Sequence, residues 1–175
     1  LNVSFLRLPL VDFTKEYTVG ILHDLDGNYL NSIALKRHIS GSLNRHLTVK
    51  NVTKKCELGN WLVISSGVSH GEIGRFEEVL APCRDIAQNL GTLGPINIQC
   101  RYVDGKIIPF EINPRFSGTT PMRAMVGYNE PDILIRKHLL GENIQTDFEY
   151  RTALIYRSLS EIEVTRDVAI DWSHK

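Results

Sequence analysis

The chain has 175 residues, 42% hydrophobic and 23% charged, with 20 basic and 20 acidic side chains that cancel. That length and composition suit one globular domain with a real core. The zero net charge argues against nucleic acid or an anionic membrane as the main partner, and no run approaches the roughly 18 apolar residues of a membrane span. Cys56, Cys83 and Cys100 are odd in number and lack metal-ligand spacing. With no signal-peptide pattern, they read as reduced thiols of a cytoplasmic protein.

In chain order, Leu1–Phe13 is an apolar extended segment whose pairing Pro9 limits. A strand is expected from Lys15 to Asp24; Asp26-Gly27 turns it, and Tyr29–Arg37 returns as a hairpin. His23 reads as a partly exposed strand residue. Ser40–Lys55 is polar, Trp61–Ile64 is a short strand, and the Ser/Gly-rich stretch to Gly71 lacks the order of a phosphate-binding loop. The clearest helix is Ile73–Leu90, with Phe76, Val79, Leu80, Cys83, Ile86, Ala87 and Leu90 on one stripe and Gly91 as its stop. An interior proline costs about 3 kcal/mol, so Pro82 predicts a kink or a break. Two apolar-rich runs, Ile96–Val103 and Lys106–Ile112, flank an Asp104-Gly105 turn, a second hairpin. Pro121–Val126 and Glu130–Leu140 suit helices, with Arg123 read as a residue of a solvated helix face rather than one that approaches substrate, and Arg151–Leu159 is a last strand. Hairpins with helices segregated between them indicate an α+β fold, an antiparallel sheet with helices packed on it. The chain reads as a single domain over residues 1–175, with 40–70 an insertion or mobile connection.

The second hairpin ends in Glu111-Ile112-Asn113-Pro114-Arg115. Residues two apart on a strand share a face, so Glu111 and Asn113 point the same way. A carboxylate beside a carboxamide oxygen suits Mg²⁺, which is commonly held by one or two carboxylates plus substrate phosphates. Arg115 can offer a planar fork of donors to a phosphate. The competing reading is the solvated face of a sheet.

Together, Gly94-Pro-Ile-Asn-Ile-Gln-Cys100 and Phe110-Glu-Ile-Asn-Pro-Arg-Phe-Ser-Gly118 resemble the metal-binding core of the ATP-grasp superfamily. The likeness is greatest to carbamoyl-phosphate synthase large chains and related ATP-dependent carboxylate–amine ligases, and it covers roughly Lys15–Glu142. It implies that Gln99, Glu111 and Asn113 hold Mg²⁺, or Mn²⁺, bridging the phosphates of ATP. It implies that Gln99 and Glu111 contact the nucleotide, and that Arg115 faces the transferred phosphate. Lys15-Glu16-Tyr17 resembles a family strand whose glutamate contacts ribose, which makes Glu16 a candidate. Basic residues at the end of the return strand sit beside the acyl phosphate in relatives, which makes Arg37 one. Pro9 stands near the position of a nucleotide-holding carboxylate and departs from the pattern, and 40–70 is longer than the connection in relatives.

The resemblance sets a geometric demand. With a two-residue Asp104-Gly105 loop, Val103 would face Lys106 and Gln99 would face Phe110, so Gln99 and Glu111 would lie on opposite faces. A three-residue loop, Val103-Asp104-Gly105, would instead put Asn97 opposite Glu111 with Gln99 diagonal on the same face. That loop is therefore expected, with a positive φ at Gly105.

Two functions follow from the resemblance. One is the C-terminal part of an ATP-grasp ligase, in which MgATP activates a carboxylate or bicarbonate as an acyl phosphate for an amine-type nucleophile. The other is an isolated or degenerate subdomain that acts as a non-catalytic binding or partner-interaction module. The chain starts at Leu1 and shows no glycine-rich phosphate loop, so a missing N-terminal half or partner subunit is implied. The face left open for that half also suggests a homodimer.

Overall fold

The computed structural model describes residues 8–9, 16–38, 47–50, 52, 61–64 and 70–157. Among them the chain runs β1 (Leu8–Pro9), β2 (Glu16–His23), β3 (Tyr29–Arg37), β4 (Leu47–Lys50), β5 (Trp61–Ile64), β6 (Gly71–Gly74), α1 (Glu77–Asn89), β7 (Pro95–Val103), β8 (Lys106–Asn113), α2 (Thr120–Met125), α3 (Glu130–His138) and β9 (Ala153–Ile155). Six strands form one antiparallel sheet in the order β8-β7-β2-β3-β6-β9, and β1-β5-β4 form a smaller one. The polar stretch 40–55 gave no sign of β4, which pairs with β5, while Pro9 lies opposite Leu62. Lys15, Cys56, Ser65–Ser69 and the expected continuation of the last strand beyond Arg157 lie outside the described residues.

Strand alternation divides the large sheet into two faces. On one, Tyr17, Val19 and Ile21 of β2 join Ala34, Ile96, Ile98 and Cys100, and α1 covers them with Val79, Leu80, Cys83 and Ala87. On the other, Leu22, Ile33, Leu35 and Ile73 pack under Met122, Val126, Tyr128 and Ile133 from the α2–α3 region. Each such large side chain contributes about 1.5–3 kcal/mol by burial. Summed over the four buried side chains of α1, that offsets the cost of Pro82, which sits inside a single helix from Glu77 to Asn89; of the kink or break expected there, the break does not occur. The helix also starts later than its apolar stripe suggested. Ile73 belongs to β6, where it pairs with Leu35 on one side and Ala153 on the other.

The β7–β8 hairpin corrects the expected loop. Val103 faces Lys106, so the loop has two residues, Asp104 and Gly105, and both have positive φ, 49° and 75°. This is the mirror-image turn whose twist matches paired strands. Register is regained further down, where Cys100 faces Pro109 but Gln99 faces Glu111, leaving Phe110 as an extra residue in a β-bulge. Proline, without an N–H, is tolerated at bulges and on edge strands, and β8 is an edge of this sheet. Asn97 then faces Asn113, not Glu111.

His23 is buried, contrary to the sequence reading, and its Nδ1 lies 3.1 Å from the Thr92 hydroxyl. Burial pushes its imidazole below the ordinary value against the pull of Asp24. The adjoining β2–β3 turn is clipped by Asp24, a buried carboxylate that accepts from the backbone of Asp26 and Asn28 and lies 3.4 Å from Lys137 of α3.

Candidate functional site

The α2–α3 side of the sheet is apolar only in part. Beyond the cover of these helices, β8, β7 and β2 present polar residues. Cross-strand partners share a face, so Glu111 lies with Gln99, and Asn113 with Asn97. The Asn113 amide donates from Nδ2 to Glu111 Oε1 at 2.6 Å. Glu111 is exposed, whereas Gln99 and Asn113 are half-buried. The bulge at Phe110 is what brings Glu111 onto the face of Gln99.

One strand further, Glu16 is fully buried. Its carboxylate is paired with Arg37 through Oε1 and with Arg101, 3.4 Å away, through Oε2. Arg37 also approaches Gln99, with Nη1 3.4 Å from Oε1. Burial pulls the Arg37 guanidinium below its ordinary value, and Glu16 opposes that shift. The structure therefore brings five of the six candidates together. Gln99, Glu111 and Asn113 form an oxygen-rich group, while Glu16 and Arg37 are an ion pair behind it that reaches Gln99. Arg115 stands apart. It is exposed after β8 and donates from Nη1 to the carbonyl of Phe116 at 2.8 Å.

Arg123 corrects the sequence reading of a solvated helix face. It is 1% exposed and donates to Glu130 Oε1 at 2.9 Å and to Asn97 Oδ1 at 2.7 Å. Gly20 makes room for it, since an added Cβ would lie 2.2 Å from Arg123 Nη1. A glycine inside a strand is the signal for such a close approach, but it does not say which side chain approaches.

The donor set fits Mg²⁺. It consists of hard oxygens, with Glu111 as the exposed carboxylate and the Asn113 and Gln99 carboxamides beside it. No cluster of three or more His, Cys, Asp or Glu residues with metal-holding geometry occurs among the described residues. The set accordingly suits an ion that arrives with phosphate oxygens of its own better than a cage built of protein alone.

An antiparallel sheet with helices on both faces, and an oxygen-donor group on its uncovered part, defines an α+β protein of the ATP-grasp class. Over residues 64–162, more than half of its length, the chain matches the family described as "ATP-grasp in the biosynthetic pathway with Ter operon", and it belongs to that family. It is also similar to the carbamoyl phosphate synthase large chain of Gemmatimonas aurantiaca, with 39% identity over 59 residues. That match covers 33% of this chain and 5% of the relative, so the chain spans a small part of that protein's length. No helix among the described residues is long and apolar enough to cross a membrane.

Proposed function

We propose that this chain is the C-terminal part of an ATP-grasp ligase, one that uses MgATP to activate a carboxylate or bicarbonate as an acyl phosphate for attack by an amine. The observation that carries this reading is the convergence of Glu111, Asn113 and Gln99 on one sheet face, reached through a strand bulge. Mg²⁺, when bound, neutralises the crowded phosphate oxygens. Glu111, with the Asn113 and Gln99 carboxamide oxygens, would hold it. The oxygen of Gln99 has two lone pairs, so the approach of Arg37 leaves one for the ion.

Behind the oxygen donors, the buried Glu16 carboxylate holds the guanidinium groups of Arg37 and Arg101. Arg37 acts there through Gln99, whose oxygen it approaches to 3.4 Å, not as a free hand on the substrate. Glu16, committed to two arginines, serves better as their anchor than as a partner for ribose. Arg115 is the exposed donor of the set, and turning it away from the Phe116 carbonyl would free its fork for a phosphate. The N-terminal half implied by this reading belongs to another stretch of protein or to a partner chain.

Calorimetric titration with ADP or ATP, with and without Mg²⁺, tests the reading. Binding that depends on Mg²⁺ and weakens at least about tenfold in Glu111→Ala is expected, the scale of a lost charged contact. Undiminished binding by the variant overturns the assignment of Glu111. No binding by the folded wild-type chain overturns a self-sufficient nucleotide site.

A further inference from the structure

The buried Arg123–Glu130 pair is not used in the functional reading above, yet it touches the floor of the candidate site. Arg123 of α2 donates from Nη1 to Glu130 Oε1 at 2.9 Å and from Nη2 to Asn97 Oδ1 at 2.7 Å. The Thr120 hydroxyl donates to Glu130 Oε2 at 2.7 Å, and the Thr18 hydroxyl donates to Asn97 Oδ1 at 3.0 Å. Thr18, Asn97, Arg123 and Glu130 are all buried. A guanidinium can only donate, so the atom of Asn97 that faces Arg123 is the carboxamide oxygen, and the usual ambiguity between oxygen and nitrogen is removed. Both lone pairs of that oxygen are then engaged. The other end of the amide, its NH₂, belongs to a residue that faces Asn113 across the ladder and shares a face with Gln99 and Glu111.

Stability alone is a poor reason for such a pair. Desolvation offsets much of the attraction between buried charges, and an apolar replacement of similar volume is often as stable. Here β2 also gives up a side chain, at Gly20 opposite Asn97, to let the guanidinium lie against the sheet.

We infer that the Arg123–Glu130 pair is a positioning device, which locks the Asn97 carboxamide oxygen-inward and presents its NH₂ as a hydrogen-bond donor to an anionic oxygen of the bound ligand. On the reading above, on which this inference rests, that oxygen belongs to a phosphate. Asn97 is then not a cation ligand, because its oxygen is occupied. Neighbours on one face divide the work: Glu111, Asn113 and Gln99 offer oxygens to a cation, and Asn97 offers N–H to an anion.

The test is MgADP affinity of the full chain by calorimetry for wild type, Asn97→Ala, Asn97→Asp and the double variant R123M/E130Q, with thermal unfolding of each. Asn97→Ala removes the donor. Asn97→Asp keeps an acceptor for Arg123 but turns a negative oxygen towards the ligand. Affinity should fall about tenfold or more in Asn97→Ala and further in Asn97→Asp. A merely structural role for Asn97 would give the reverse order, because Asn97→Asp fills the same space. R123M/E130Q removes both charges together, so neither is left buried alone. It should fold, and it should bind at least about twofold more weakly as the amide samples both orientations. The Asn97 side-chain amide signals in ¹⁵N NMR, identified by their loss in Asn97→Asp, should shift on adding MgADP to the wild type.

Equal or tighter binding by Asn97→Asp, or wild-type affinity in folded R123M/E130Q, overturns this inference alone. Should R123M/E130Q fail to fold, the order of the two Asn97 variants decides it. Failure of the wild type to bind MgADP overturns the functional reading, and this inference with it.

Discussion

Gly20→Ala adds one methyl group to the middle of β2. Gly20 is not among the glycines with positive φ, so alanine can adopt its backbone without strain. In open surroundings the change would stabilise by about 0.4–1 kcal/mol, because the unfolded chain loses freedom. Here the new Cβ would stand 2.2 Å from Arg123 Nη1, 2.7 Å from Cζ and 3.0 Å from Glu130 Oε1. A flexible side chain normally moves aside cheaply. This one is buried and held at both ends of its fork, by Glu130 and by Asn97. Moving it breaks a buried ion pair, which costs about 3–5 kcal/mol when one partner is lost. Set against the gain in the unfolded state, the expected net loss is about 2–4 kcal/mol. Equilibrium unfolding in urea of wild type and Gly20→Ala measures it. The same substitution in an R123M/E130Q background should cost less, since the rigid obstacle is gone. Stability equal to or above wild type in the single variant would refute the argument that Gly20 exists to seat Arg123.

Three further outcomes are expected. The Tyr128 hydroxyl is buried without a hydrogen-bond partner among the described residues, and burial pushes its phenol well up; Tyr128→Phe should therefore stabilise by about 1 kcal/mol, read from the shift in urea midpoint, and a loss would reveal a hidden partner. Burial holds His23 and His70 below the ordinary histidine value of 6.5, with the charges of His38 and Arg37 adding to the effect at His70 and Asp24 opposing it at His23. Below about pH 6.5 the unfolded chain thus binds protons that the folded chain refuses, so stability should fall from pH 8 to pH 5, and the fall should be smaller in His23→Gln. Cys83 and Cys100 are buried free thiols, and the neighbouring Cys83, with burial, pushes the Cys100 thiol far up; both should escape iodoacetamide in the native chain and react after denaturation, as peptide mass spectrometry would show.

Much of the architecture was legible because it is written in short-range patterns. The Asp26-Gly27 and Asp104-Gly105 turns, the three- and four-residue stripe of α1 and the Pro-led start of α2 each depend on neighbours in sequence. The errors arose where distant residues decide. Gln99 and Glu111 need one face, and a longer loop at Val103-Asp104-Gly105 is the local way to reach it. The chain keeps the two-residue turn and places the extra residue at Phe110, next to a proline that had already weakened the ladder. Ile73 looked helical until β3 and β9 claimed it from either side. Arg123 looked solvated because its partners, Asn97 and Gly20, are far away in sequence. Glu16 and Arg37 were named separately, and nothing local tells that each would be the other's partner.

The bulge at Phe110 also has a bearing on how this hairpin can change. A β-strand is read in a two-step frame, and the extra residue is a frameshift inside one strand. Lys106–Pro109 keep the frame set by the turn, which leaves Ile107 packed against the α1-side core. Glu111–Asn113 keep a second frame, set against Gln99 and Asn97. Deleting Phe110 would join the halves into an unbroken ladder with Glu111 still opposite Gln99, so neither frame is disturbed. Within the second frame there is no such slack: removing Ile112 would put Glu111 and Asn113 on opposite faces. The tip of the hairpin and the oxygen-bearing end are thus free to vary independently, with Phe110 as the point where the count restarts.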